Sequence, residues 1–206
     1  MAVTLEIHPK NPQPRLIAQA VEALSKGGVI AYPTDTGYAL GAHIGDKEAA
    51  DTLRRIRKLD DKHNFTLICN DLSQVSTFTR MGNDAHRLIK KLTPGPFTFI
   101  LEATREVPRR LQHAKKKTIG VRIPDFRISQ DLVAELGEPL LTTTLIMPGE
   151  EEGLTDPDDI NERLGRELDL IIDAGSIAYQ STTIIGCVDN VFEIIRQGIG
   201  LAPMLE

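Results

Sequence analysis

The stretch Val29–Gly41, VIAYPTDTGYALG, decides the fold of this chain. Its first four residues are apolar and partly β-branched, which is typical of a buried strand, and Pro33 is expected to end that strand because proline lacks a backbone donor. Ligands in open α/β sheets bind outside the carboxyl ends of strands, so the polar residues that follow are the first candidate site. Alternatively, Thr-Asp-Thr-Gly forms only a well-bonded turn. The polar residues are Thr34, Asp35, Thr36 and Tyr38.

Helical and strand patterns alternate over most of the chain. Apolar residues at helical spacing predict helices over residues 11–28, from 46, over 83–92, before Gly137 and after Thr155. Strands are predicted over 29–32, 65–69, 97–101, 118–124, 140–144, 169–173, 182–185 and 191–196. The end of the chain is strand-rich, which favours an α/β fold of the α+β type, with a mixed sheet flanked by helices. Residues 1–206 are expected to form a single domain.

Composition and charge exclude several classes of protein. Of the 206 residues, 41% are hydrophobic and 26% are charged, as is usual for globular proteins. A formal net charge of -5 argues against nucleic-acid binding by bulk charge. The two cysteines lack the spacing of a zinc site, and no metal-binding residues are predicted. No leader peptide or membrane-spanning run is recognised, so the chain is expected to be cytoplasmic and to have no membrane partner.

Hydroxyl and guanidinium groups recur at the ends of the predicted strands. They would suit phosphate and carboxylate oxygens, although threonine is also a common residue of pleated surfaces. Arg122 is the lone charge in an apolar strand, and such a charge must be paired or must bind an anion. The P-loop, GxGxxG and GxSxG motifs are all missing. The recurring groups belong to Thr34, Thr36, Thr98, Arg122, Thr142–Thr144 and Ser181–Thr183.

Residues 105–117 form a basic run that we name the basic loop. Lysine and arginine neutralise phosphates without reading bases, and no aromatic residues are interleaved to stack unpaired bases. Double-stranded or structured RNA, including tRNA, is therefore a candidate partner, and a merely solvated face is the alternative. The candidate RNA-binding residues are Arg109, Arg110, Lys115, Lys116 and Lys117.

Several of these segments occur in an order that resembles the YrdC/YciO family, and the YciO branch most. The segments are YPTDTGYALG, RIRKLDDKHNFTLI, LTPGPFTFIL, TIGVRIPD, AELGEPLLTTT and STTI, and the resemblance runs from about residue 10 to about residue 200. It implies a twisted mixed sheet around a concave basic cavity, with affinity for double-stranded RNA or tRNA. Active members are threonylcarbamoyl-AMP synthases, which join threonine, bicarbonate and ATP and release pyrophosphate.

The resemblance also implies roles for individual residues. Thr34 would contact threonine, with Thr36 and Tyr38 lining the same pocket. Arg57 and Arg122 would neutralise carboxylate or phosphate charge, and Thr144 would supply a hydroxyl. Ser181 and Arg196 would help to close the nucleotide end. ATP would be the substrate, with Mg²⁺ bridging its phosphates without a protein cage.

The chain departs from the synthases of the family at two positions. Their Lys-x-Arg pair reads Arg57-Lys58-Leu59 here, and their Ser-x-Asn pair reads Thr144-Leu145-Ile146. Leu59 cannot pair with an anion, and Ile146 cannot donate a hydrogen bond to ATP. We therefore expect an ATP-binding or acyl-adenylate-binding protein with weak or altered synthase chemistry. The alternative is a non-catalytic RNA-binding protein that acts in ribosomal RNA maturation or ribosome assembly.

Overall fold

An eleven-stranded mixed sheet forms the centre of the computed structural model, which describes residues 1–60 and 62–205. The strands are β1 (Val3–Glu6), β2 (Ile30–Thr34), β3 (Gly37–His43), β4 (Thr66–Ile68), β5 (Thr79–Arg80), β6 (Phe97–Ala103), β7 (Thr118–Arg122), β8 (Leu140–Thr144), β9 (Leu170–Asp173), β10 (Thr183–Val188) and β11 (Val191–Arg196). Their spatial order is β1-β9-β2-β3-β8-β4-β7-β6-β10-β11, and β5 pairs with β6. The predicted mixed sheet is confirmed.

Six α-helices of the described residues flank the sheet: α1 (Pro14–Ser25), α2 (Lys47–Arg57), α3 (Leu72–Phe78), α4 (Asn83–Leu92), α5 (Arg127–Leu136) and α6 (Pro157–Leu164). Their ends follow local chemistry, because the Asp46 carboxylate accepts a hydrogen bond from the Ala49 amide at 2.8 Å and Gly137 ends α5 in a left-handed conformation. No helix in the described part of the chain is long and apolar enough to cross a membrane.

The sequence did not reveal β1 and β3. β1 has only four residues, and β3 contains two glycines, which weaken any strand pattern. β3 becomes a strand because it pairs with β2 over Gly37–Gly41 and with β8 over Ala39–His43. The candidate turn at Asp35 and Thr36 is therefore the tip of a β2–β3 hairpin.

The prediction that Pro33 ends its strand is wrong, because β2 continues to Thr34 and Pro33 pairs with Tyr38. Within β2, only Ile30 and Ala31 pair with β9, so the outer edge of β2 is already free at Pro33. A proline there removes no ladder hydrogen bond.

The two faces of the sheet are covered unequally. Helices α2, α3, α4 and α6 cover one face, where Leu53, Leu67 and Phe99 belong to a large buried core. On the other face, α1 and α5 bury Tyr32 and Leu132 in a second core with β1, β9, β2 and β3. Strands β8, β4, β7, β6 and β10 extend beyond that second core, and their side chains on this face line a cavity.

Small side chains form the floor of that cavity. One row across the sheet pairs Thr142 with Thr66, Thr66 with Gly120, Gly120 with Ile100, and Ile100 with Gly186. Residues directly opposite each other on paired strands share a face, so the whole row faces the cavity. A Cβ on Gly120 would lie 2.7 Å from Thr66 Oγ1 and 3.1 Å from the Phe65 carbonyl oxygen. Glycine therefore permits the close approach of β7 and β4.

Replacing Gly120 by valine should destabilise the protein, since overpacking a tight site costs about 1–3 kcal/mol. Chemical denaturation measures the loss in the free energy of unfolding. The variant Gly120→Val combined with Thr66→Ala removes the nearest oxygen and should recover part of that loss. Strictly additive effects of the two substitutions would contradict the close contact between them.

Candidate functional site

The cavity on the open part of the sheet has a volume of about 380 Å³. Its lining combines cationic, hydroxyl-bearing and aliphatic side chains, and no aspartate or glutamate belongs to it among the described residues. Such a lining attracts anions and offers them hydrogen-bond donors. The lining residues are Arg57, Lys62, His63, Asn64, Thr66, Thr98, Ile100, Thr142, Thr143, Thr144, Ile146, Tyr179, Thr182, Ile184, Ile195 and Arg196.

A smaller pocket of about 40 Å³ continues the cavity inward and is lined by Tyr32, Thr34 and Arg122. Six threonines line both spaces, namely Thr66, Thr98, Thr142, Thr143, Thr144 and Thr182. The structure thus brings together most of the hydroxyl and guanidinium groups that the sequence singled out. They meet on the face of the sheet, and not at a shared carboxyl edge, because parallel and antiparallel neighbours are mixed in this half: β8 runs antiparallel to β3 and β4, and β7 runs antiparallel to β6 but parallel to β4.

The hydroxyl of Thr34 takes part in both the turn and the inner pocket. Its Oγ1 donates to the Gly37 carbonyl at 2.7 Å and accepts from the Thr36 amide at 3.1 Å. Thr36 Oγ1 lies 3.3 Å from Thr34 Oγ1, but Thr36 is not among the residues that line either space. Both interpretations of this stretch, a bonded turn and a site, therefore apply to Thr34.

Tyr38 does not line the cavity, in contrast to the expectation. It follows Gly37, which pairs with Thr34, and its side chain enters the large core on the opposite face. Its hydroxyl donates to the Gly175 carbonyl at 2.8 Å and accepts from the Ala174 amide at 3.1 Å. Burial raises the pKa of Tyr38 to about 12, so the phenol stays protonated.

Arg122, which is buried, forms an ion pair with the partly buried Asp35 at the tip of the β2–β3 hairpin. The second carboxylate oxygen of Asp35 accepts from the Asp125 amide at 3.1 Å. Burial lowers the pKa of Arg122, and the Asp35 charge opposes that change. Arg122 Nε is buried and has no hydrogen-bond partner in the described structure. The ion pair therefore joins β7 to the hairpin, and Arg122, which lines the inner pocket, keeps one donor without a partner in the described structure.

Arg57 and Arg196 contribute charge to the larger cavity in different ways. Arg57 ends α2, its Nε is buried without a partner in the described structure, and burial lowers its pKa. Arg196 is anchored, because its guanidinium donates to the Thr182 carbonyl at 2.9 Å and to Thr182 Oγ1 at 3.1 Å. Ser181 is bonded to Tyr179 through a hydroxyl contact of 3.1 Å and does not belong to the cavity lining.

Sequence reasoning missed several lining residues, above all His63. Burial, then the charges of Arg57 and Arg54, lower the pKa of His63 to about 4, so the imidazole is neutral at pH 7. Its ring meets Phe65 edge-on at 5.8 Å. No sequence signal marks His63, because it has no metal-ligand spacing. Asn64 is placed by its side chain, whose oxygen accepts from the Thr118 hydroxyl at 3.0 Å.

The basic loop lies apart from the cavity lining. Arg109 and Arg110 belong to a 3₁₀ turn, and the Arg110 guanidinium donates to the Gly45 carbonyl at 3.0 Å. Lys117 Nζ donates to the Ala114 carbonyl at 2.8 Å. All five predicted RNA-binding residues, which also include Lys115 and Lys116, are exposed. The predicted RNA-binding residues therefore form a surface outside the described cavity lining, and their RNA binding stays a prediction.

The two departures from the synthase pattern are placed differently. Ile146 lines the cavity, whereas Leu59 packs against the large core. Ile146 therefore changes the cavity lining directly. Leu59 replaces the arginine of the synthase pattern, but its own side chain does not belong to the lining.

The substitution Asp35→Asn should destabilise the protein by about 3 kcal/mol, because it leaves Arg122 buried and unpaired. Thermal and chemical unfolding measure the loss. The double variant Asp35→Asn with Arg122→Met should be more stable than Asp35→Asn alone. Equal stability of the wild-type protein and Asp35→Asn would show that the ion pair contributes nothing.

The comparison with known proteins agrees with this geometry. The profile of the Sua5/YciO/YrdC family, described as "Telomere recombination", matches residues 22–198. YciO of Escherichia coli strain K12 is 53% identical over 194 residues, which are 94% of each chain. Its crystal structure superposes with a TM-score of 0.96 and covers 100% of both chains.

More distant relatives carry enzyme names. A protein of Methanocaldococcus jannaschii named putative threonylcarbamoyl-AMP synthase is 27% identical over 200 residues, which are 95% of this chain and 92% of that one. The crystal structure of P. abyssi Sua5 complexed with L-threonine has a TM-score of 0.82 at 22% identity, and it shares the fold over 90% of this chain and 54% of its own length. The match over residues 22–198 and the identity to YciO show that the chain belongs to the Sua5/YciO/YrdC family.

Proposed function

We propose that the cavity binds ATP or an acyl-adenylate through the oxygens of its phosphate groups. The observation that carries this proposal is the meeting of Arg57, Lys62 and Arg196 in one cavity whose described lining has no carboxylate. Cations in a partly desolvated cleft attract anions, and charge-assisted hydrogen bonds to oxyanions are stronger than neutral ones. The hydroxyls along the sheet face supply further donors.

The relatives support a link to threonylcarbamoyl-AMP chemistry. One distant relative is named a putative synthase of this compound, and P. abyssi Sua5 was crystallised with L-threonine. In the enzymatic form of the proposal, threonine, bicarbonate and ATP are substrates. Thr34 orients the amino acid, and Arg57 and Arg122 neutralise developing charge. The rate is low, because Ile146 replaces a polar donor in the lining.

The cavity does not fit a magnesium ion held by protein ligands. Its described lining offers hydroxyl and amide oxygens but no carboxylate, and no cluster of three His, Cys, Asp or Glu elsewhere in the described residues could hold a metal. Mg²⁺ prefers carboxylates and substrate phosphates. By this proposal, any Mg²⁺ enters as part of the ATP substrate.

Replacing Arg57 by glutamine should weaken ATP binding by about 10- to 100-fold, since one charge-assisted hydrogen bond contributes about 1.5–3 kcal/mol. Isothermal titration calorimetry measures the affinity, and pyrophosphate release with threonine, bicarbonate and Mg²⁺ measures turnover. Arg55→Gln is the matched control, because Arg55 lies on the same helix but pairs with Glu167 outside the cavity. Equal losses in both variants, or no ATP binding by the wild-type protein, would refute the proposal.

RNA binding by the basic loop is a second candidate function. The observation that favours it is that Arg109, Lys115, Lys116 and Lys117 are exposed, and that none of them forms an ion pair with an acidic group in the described part of the chain. Solvated cations are available to neutralise phosphates of a nucleic-acid backbone. The loop would bind double-stranded RNA or tRNA independently of the cavity.

Replacing Lys115, Lys116 and Lys117 together by glutamine should weaken binding to a short RNA duplex. The slope of log affinity against log salt should fall by up to about 3, because each phosphate contact contributes roughly 0.9. Filter binding at several salt concentrations measures the slope. The control variant replaces Lys10, Lys90 and Lys91, which are exposed elsewhere. An unchanged slope in the basic-loop variant would exclude this surface.

A further inference from the structure

An irregular segment, residues 174–182, connects β9 with β10, and we name it the strap. The two strands lie far apart in the sheet, because six other strands stand between them. The strap must therefore run past the strands that form the floor of the cavity. Two of its residues, Tyr179 and Thr182, belong to the cavity lining. The proposed function gives no role to Tyr179.

Hydrogen bonds hold the strap next to Tyr179. The Gln180 amide donates to the Thr36 carbonyl at the tip of the β2–β3 hairpin, at 3.1 Å. The Tyr179 hydroxyl lies 3.1 Å from Ser181 Oγ, and the residue is half-buried. A side chain that is held in place before a ligand arrives loses less conformational freedom on binding, so the Tyr179 ring is a preorganised surface.

Two glycines allow Tyr179 to lie close to neighbouring backbone. A Cβ added to Gly153 would lie 2.8 Å from Tyr179 Cδ2, and a Cβ added to Gly37 would lie 3.4 Å from Tyr179 Cα. Gly153 pairs with Ile146 across an antiparallel bridge, so the Ile146 side chain points to the same face as that missing Gly153 Cβ. The Tyr179 ring and Ile146 are therefore neighbours in the lining, and we name these two side chains the apolar corner.

Cations of the cavity lie near the apolar corner. The strap residue Thr182 anchors the Arg196 guanidinium through its carbonyl at 2.9 Å. The Cα atoms of Tyr179 and Thr182 are at most about 11 Å apart, because only three peptide units join them. Burial lowers the pKa of Arg57, and the nearby Tyr179 opposes that change. A nucleotide whose phosphates contact Arg57 or Arg196 would therefore have its base within reach of the ring.

The adenine ring is the flat, largely apolar part of both ATP and an acyl-adenylate. Among the described lining residues, only Tyr179 and His63 carry rings, and the His63 ring already packs edge-on against Phe65. Nucleobases stack on aromatic side chains, and the loss of such a ring lowers affinity by about 5- to 150-fold. The Tyr179 ring therefore offers the base a surface that threonine and isoleucine side chains cannot replace.

We propose that the apolar corner binds the adenine ring of the ligand, which stacks on Tyr179 while the phosphates contact the cations of the cavity. This inference rests on the proposed function and identifies the part of the same site that takes the base. Neither Tyr179 nor Ile146 lines the inner pocket, so that pocket, with Thr34, is left for the amino acid.

Two ligands with the same number of phosphates test the inference on the full chain. ATP and inorganic tripolyphosphate both carry three phosphates, but only ATP carries a base. Titration calorimetry at constant ionic strength should show that Tyr179→Leu weakens ATP binding by about 10-fold. The same variant should bind tripolyphosphate as the wild-type protein does, because the cations are unchanged. Tyr179→Phe is the matched variant, since it keeps the ring and should retain most of the affinity for ATP.

Each other outcome overturns a defined part of the argument. Unchanged ATP affinity in Tyr179→Leu, or a wild-type protein that binds tripolyphosphate as tightly as ATP, would refute the stacking and leave phosphate binding intact. Equal losses for ATP and tripolyphosphate would show that Tyr179 only holds the strap. Equal losses in Tyr179→Phe and Tyr179→Leu would assign the effect to the hydroxyl. A selective loss of ATP binding in His63→Leu but not in Tyr179→Leu would place the base on His63. Binding of neither ligand by the wild-type protein would refute the proposed function itself.

Discussion

Helices α1 and α5 cover only half of one face of the sheet, and the site depends on this incomplete coverage. Where they pack, Tyr32, Leu132 and their neighbours close a dry core. Beyond them, the same face carries threonines, glycines and isoleucines around a cavity of about 380 Å³. A sheet face that no helix covers contacts water or a ligand instead of a dry core. This explains why the open half carries hydroxyl-bearing residues where the covered half carries aliphatic ones. The opposite face, covered by four helices, holds the large core and keeps the floor rigid.

The chemistry of the cavity follows from which charges enter it and which do not. The cations that line the cavity are Arg57, Lys62 and Arg196. The carboxylate of Asp35 lies outside this lining and forms an ion pair with Arg122 at the hairpin tip. The ion pair therefore has two effects: it holds β7 against the β2–β3 hairpin, and it keeps the nearby carboxylate engaged with a cation. An anion entering the cavity meets donors and positive charge. Ligand selectivity then depends on the neutral parts of the lining, which are mainly threonine and isoleucine side chains.

Much of the fold was predictable because its signals are local. The helix over Asn83–Leu92 and the strands over Leu140–Thr144 and Val191–Arg196 occur as predicted, since periodicity and flanking turn residues both mark them. The strand β3 was hidden, because its glycines carry no strand preference and its partners lie far away in the chain. The candidate site residues show the same difference between local signals and long-range pairing. Arg122 could be singled out because it is a charge within an apolar strand. The side chain of Tyr38 lies on the face of the sheet opposite to the cavity, and this placement depends on the hairpin register.

The sequence by itself determined most of the helices and strands, the family and the types of residue that a ligand can meet. Hydrophobic periodicity, capping residues and turns act over a few positions, so they can be read without a fold. Only the tertiary structure decided which of these residues share a cavity. Strand order and register bring Thr66, Gly120 and Ile100 into one row, and they leave the basic loop outside the cavity lining. A bulge in β11 brings the consecutive residues Ile195 and Arg196 into the same cavity lining. These arrangements arise from contacts between distant segments, whose energies no single stretch of sequence contains.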